Sequence, residues 1–230
     1  MHGRRRARPE RKNMKKKLLI MSVAMVLVCA FAVGMTIAYL TSTDEVVNTF
    51  TVGNVRIKLD EADVDEYGVP QGSPAPRVSR NDYKLIPGHT YTKDPTVTVL
   101  SGSEESFIKM TVTFTKSAAL DAIFGTDGAD LTSIFKGYNP ANWIYKGNTE
   151  DTQNDTRTYE FWYKEVVPAV AATDADVALD ALFDSITVPH TITNDQLATI
   201  QGMTITVNAY AIQADGFGGN ADAAWAAFAN

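Results

Sequence analysis

The chain has 230 residues, 45% hydrophobic and 21% charged, which excludes a disordered or collagen-like polymer and suits one domain of ordinary size. Its net charge of −6 hides a split. Residues 1–17 carry nine basic side chains and one acid, Glu10; residues 18–38 carry no charge; the remainder holds 12 basic and 26 acidic residues. An acidic body repels phosphate backbones and argues against nucleic acid as a partner. The single cysteine, Cys29, lies in the uncharged run, so the body has neither a disulfide nor a thiolate metal site.

The first predicted element is a leader. Residues 18–38 are 21 uncharged residues behind Lys15, Lys16 and Lys17. A basic flank held on the cytoplasmic side, then an apolar helix, is how a chain enters the export channel. Met14 directly precedes the lysines and is a second candidate start. The run is also just long enough to span a bilayer. Cleavage after Ala38, with small residues at its −3 and −1 positions, is therefore weighed against retention as a membrane anchor.

The residues that follow carry a resemblance. Gly34-Met-Thr-Ile-Ala-Tyr-Leu-Thr-Ser-Thr-Asp-Glu45 precedes Asn48-Thr-Phe-Thr-Val-Gly-Asn-Val55. This resembles the signal region of Gram-positive proteins processed by SipW-type signal peptidases, among them the camelysin/TasA family of secreted biofilm-matrix fibre proteins. Residues 85–99, with Pro87-Gly88 ahead of a strand, and residues 205–215 are similar to other segments of that group. The resemblance implies a cut between Ala38 and Tyr39, a signal peptidase as transient partner, and an extracellular or cell-surface location. It also implies self-association into fibres by addition of an N-terminal strand. Tyr39, Leu40, Val46 and Val47 would then form the donor strand, uncapped and rich in β-formers.

Along the body, strand signals dominate. Residues 50–59 alternate apolar and polar, with Gly53-Asn54 as a bulge. Residues 96–100, 107–115, 156–164 and 203–212 alternate as well. Period-two alternation marks sheets with one packed and one solvated face. Strands joined by long excursions predict a mostly β domain over 39–230, an antiparallel β-sandwich of jelly-roll kind. Short helices are expected at 117–124, 130–135 with Asp130 as N-cap, 174–183 and 220–228. Residues 60–84, acidic and then rich in proline and glycine, read as a flexible surface loop.

Chemistry is sparse. Asp60, Glu61, Asp63, Asp65 and Glu66 crowd five carboxylates together, and a calcium ion bound by several oxygens would relieve their repulsion. The spacing fails the EF-hand pattern. Otherwise no cofactor is expected. His89 follows a Pro-Gly turn and His190 follows Pro189; there is no His-Glu-x-x-His pair and no Gly-x-Ser-x-Gly elbow. Trp143, Tyr145, Tyr159, Phe161, Trp162 and Tyr163 could stack sugars, but alternation places half of them inward.

The expectation is an exported, non-enzymatic structural protein of the cell surface or biofilm matrix, touching the membrane only through its signal helix. The alternatives are a monomeric adhesin or carbohydrate-binding module, and third a camelysin-like secreted metallopeptidase.

Overall fold

In the computed structural model, residues 55–124 and 131–228 are described, and they lie within one unit, residues 54–230. The leader, the cut at Ala38–Tyr39, the donor residues Tyr39, Leu40, Val46 and Val47, the Gly53-Asn54 bulge and the Asp130 cap all lie outside the described residues. No helix among the described residues is long and apolar enough to cross a membrane.

The fold is mostly β, and among the described residues every ladder is antiparallel. One four-stranded sheet has the order β2-β1-β4-β8, with β1 Ile57–Ala62, β2 Arg77–Val78, β4 Thr96–Val99 and β8 Val177–Ala178. The second has the order β10-β5-β7-β6, with β5 Ser106–Thr115, β6 Trp143–Asp151, β7 Thr156–Tyr163 and β10 Ile205–Gln213. A small ladder joins β3 Thr90–Thr92 to β9 Ser185–Thr187. Among the described residues, four short helices punctuate the strands: α1 Ser117–Phe124, α2 Leu131–Ile134, α3 Asn194–Thr199 and α4 Ala221–Phe228.

Alternation dictates the core. Along β5, Ile108, Met110, Val112 and Phe114 are buried while the residues between them are half-exposed. Val97 and Val99 of β4 bury in the same cluster as these residues, with Trp143, Tyr159 and Phe161. Phe135 sits at its centre, stacked on Phe183 at 4.7 Å and edge-on to Tyr159 and Phe161. Full burial of such side chains contributes about 1.5–3 kcal/mol each, before entropy is counted.

Long-range polar contacts place the helices. Asp155, in the turn between β6 and β7, accepts hydrogen bonds from the Ser117 hydroxyl and the Ala118 N–H, satisfying the first turn of α1. Thr193 and Gln196 form a reciprocal capping box on α3. Arg157 of β7 makes a two-pronged ion pair with Asp121 of α1, fastening that helix to the sheet.

Two expectations are corrected. The segment 174–183 is not a helix: Val177 and Ala178 pair with Val99 and Thr98 as β8, and the chain then turns to bury Leu182 and Phe183. Acids at its start suit a helix N-terminus, but pairing with β4 outweighs that local preference. Residues 60–84 are not a loose loop either. β1 continues through Asp60, Glu61 and Ala62, and β2 pairs back onto it, Glu61 opposite Val78 and Ala62 opposite Arg77.

Candidate functional site

The five carboxylates proposed for calcium are dispersed. Asp60 and Glu61 occupy consecutive strand positions and so project to opposite faces. Asp60 is buried and takes Lys58 Nζ at 2.7 Å and Arg77 Nε at 2.8 Å. Arg77 reaches on to the Asp94 carboxylate and to the carbonyls of Asp60 and Asp94. Burial raises the Asp60 pKa, but hydrogen bonds from Lys58 and Arg77 outweigh it and hold the carboxyl below its usual range. Asp65 folds an Asx turn, accepting the N–H groups of Tyr67 and Val69 at 2.9 Å. Asp63 is half-buried and Glu66 exposed. Among the described residues no group of three or more acidic, histidine or cysteine side chains is placed to hold a metal ion.

Glu61 is the centre of a second cluster. Its Oε2 accepts from Lys93 Nζ at 2.5 Å, and its Oε1 accepts from Asn81 Nδ2 at 2.9 Å. The Lys93 and Glu61 side chains are only 8% and 9% exposed. Asn81 also donates to the Ala62 carbonyl, and its Oδ1 accepts the Val64 N–H at 3.1 Å. The ring of Tyr83 lies 6.0 Å from Lys93 Nζ and edge-on to Tyr91. Burial, then the nearby Glu61, pushes the Tyr83 phenol far above its ordinary pKa. Sequence reading missed this constellation because Lys93 and Asn81 look like ordinary surface residues; a charged residue inside an alternating strand, Glu61, was the available signal.

The histidines do come near each other. The β3–β9 ladder brings the His190 turn against Gly88, where a Cβ would lie 3.3 Å from that of His190. His89 Nε2 is hydrogen-bonded to the Tyr67 carbonyl at 2.7 Å, and its ring packs on Tyr91 at 4.7 Å.

Five of the six aromatics, rather than the expected half, lie on the core face, because residues 143, 145, 159, 161 and 163 share one phase of their strands. Trp143, Tyr159 and Phe161 are buried, and Tyr145 and Tyr163 pack against them. Trp162 faces the other way, and there its ring is covered by Lys146 Nζ at 3.9 Å. Beside it, Lys109 of β5 lies over the rings of Trp225 and Phe228 of α4 and Tyr210 of β10. Trp225 is buried on that face, whereas Phe228 is exposed.

The two edges of the larger sheet are built differently. β6 carries a register shift between Tyr145 and Gly147, leaving Lys146 bulged, and adds Glu150 and Asp151. Bulges and charges are devices that keep an edge from pairing. β10 has neither. Its nine residues contain no charge and no proline and match β5 one for one from Ile205–Phe114 to Gln213–Ser106. The Thr115 N–H bonds the Thr204 carbonyl and the Ala214 N–H bonds the Glu105 carbonyl. That phase assigns the even-numbered residues of β10 to the ladder with β5 and turns the N–H and C=O groups of 205, 207, 209, 211 and 213 outward. Among the described residues these outward groups have no hydrogen-bond partner. Ile205, Val207, Ala209 and Ala211 are also only half-buried, unlike their fully buried neighbours on β5. β1 passes near β10 without a ladder between them.

Compared with known proteins, this chain matches no family model, no curated protein and no solved structure.

Proposed function

We propose that this chain is an exported structural subunit of the cell surface or biofilm matrix. Its body would be a β-sandwich of jelly-roll type that self-associates by strand addition. The observation that carries the reading is the β10 edge: straight, uncharged, with five outward-facing backbone positions beside half-buried apolar side chains. An extended segment laid along it gains main-chain hydrogen bonds and covers that apolar margin. The segment offered for this is the N-terminal stretch containing Tyr39, Leu40, Val46 and Val47, freed when a signal peptidase cuts after Ala38. Addition of one copy's segment to the next copy's edge is head-to-tail and leads to an open filament. No residue in this reading acts catalytically and no cofactor takes part.

The test is N-terminal sequencing of the protein from culture supernatant, followed by electron microscopy of that material. Tyr39 as first residue and filaments of the purified protein support the proposal. Monodisperse particles from a chain beginning at Tyr39 overturn assembly, and recovery only in membranes with residues 18–38 intact overturns release.

A further inference from the structure

Glu61 holds an amine on one oxygen and a carboxamide on the other, and the two come from separate stretches of chain. Lys93 follows β3 and Asn81 follows β2. Both groups sit on one carboxylate, so Lys93 Nζ and the Asn81 amide are each one hydrogen bond from Glu61. The cluster is closed to water on the Lys93 and Glu61 side. The Asn81 carbonyl oxygen accepts the Val64 N–H at 3.1 Å, so a backbone donor already points where negative charge would gather if the carbonyl carbon were attacked.

These are the parts of an acyl transfer: a nucleophilic amine, a base on it, a polarised carbonyl, and an acid at the leaving nitrogen. We propose that Lys93 and Asn81 join through an intramolecular amide bond that the folded protein makes for itself, with Glu61 as the catalytic acid–base. Glu61 Oε2 removes a proton from the Lys93 ammonium. The freed Nζ lone pair attacks Asn81 Cγ, and the C=O pair moves onto Oδ1, which the Val64 N–H stabilises. The tetrahedral centre collapses as Glu61 Oε1 returns a proton to Nδ2 and the C–N bond breaks. The Nζ of Lys93 passes its second proton by way of Glu61 to the released nitrogen of Asn81, which departs as ammonium. One C–N bond forms and one breaks, nothing is oxidised or reduced, and no co-reactant is needed. Glu61 ends unchanged, within reach of the new amide. The product closes a ring over residues 81–93 that survives unfolding, and it goes beyond the assembly reading, on which it does not depend.

Mass spectrometry decides it. The folded full-length protein is digested with trypsin and mapped. The expected product is a branched species in which residues 81–84 are attached to residues 85–109, uncut after Lys93 and lighter than its two parts by one ammonia, about 17 Da. Ordinary cleavage after Lys93 with residues 81–84 at full mass overturns the proposal. A loss of ammonia confined to Asn81, with Lys93 cut normally, overturns it too, because it signals a cyclised asparagine instead. In Glu61→Gln the branched species is expected to vanish; its persistence would remove Glu61 from the mechanism. Lys93→Arg, which keeps a cation in place, is expected to yield only the unbranched peptides, and a branch surviving in it overturns the assignment of the nucleophile.

Discussion

The indole N–H of Trp143 donates to the Asp180 carbonyl at 3.0 Å, tying the start of β6 to the turn that follows β8. Trp143 is fully buried and edge-on to Tyr163. Trp143→Phe removes the donor, and water can reach the carbonyl it leaves because Asp180 is exposed. We expect a loss of about 0.5–1.5 kcal/mol. Trp143→Ala opens a cavity as well and is expected to cost about 3–5 kcal/mol. Urea midpoints of the two variants against the parent check both values.

Arg157 is buried, with Asp121 on its two guanidinium nitrogens and Glu150 at 3.4 Å. Replacing it by methionine leaves Asp121, which is only partly exposed, without its counter-charge. The expected loss is about 2–4 kcal/mol. Arg157→Lys is expected to recover little, because a point charge cannot copy a two-pronged contact. Calorimetric melting of both variants is the measurement.

Asp60 sets an acid limit. Its carboxyl is held below the ordinary aspartate range by Lys58 and Arg77 against the opposing pull of burial. Folding therefore favours the ionised form. The stabilisation is complete above the unfolded pKa of about 4 and is lost as pH falls through the lower folded value. A plot of unfolding midpoint against pH should bend downward below about pH 4 in the parent, and in Asp60→Asn that part of the bend should flatten.

Gly68 meets two demands together. Its φ is +75°, and a Cβ there would lie 2.6 Å from the Tyr91 Cα. Gly68→Ala strains the turn and pushes on backbone that cannot rotate aside. The expected cost is at least about 2 kcal/mol, read from thermal melts.

The β10 edge can be closed without touching the sheet. Ala209 turns its N–H outward, so Ala209→Pro removes an edge donor but no bond to β5. We expect filaments to disappear in micrographs of this variant while its circular dichroism melt stays within a few degrees of the parent. Thr206→Pro, which breaks the β5 ladder, should lower the melt itself.

The alternating strands were legible because alternation is local: β4, β5, β7 and β10 fall within two residues of the periodicity that predicts them, and α1 coincides with it. β6 was not, because the Gly147 bulge breaks its phase and its end, Thr149-Glu150-Asp151, reads as turn chemistry. β8 and β9 are two and three residues long, too short to show a period. The acidic run from Asp60 misled for a different reason: its charges are answered by Arg77, Asn81 and Lys93, which lie 17, 20 and 32 residues away from their partners. Those distances are set by tertiary folding and leave no trace in composition.

The bulge at Lys146 also bears on how copies can meet. Among the described residues the sheet is blunted along one flank and unpaired along the other, which gives it valence one for incoming strands. Two copies pressed together bare flank to bare flank would consume both sites and stop, whereas a copy that presents its tail keeps a vacant flank at the tip. Growth by the proposed strand addition is therefore polar, and its two ends are chemically unlike.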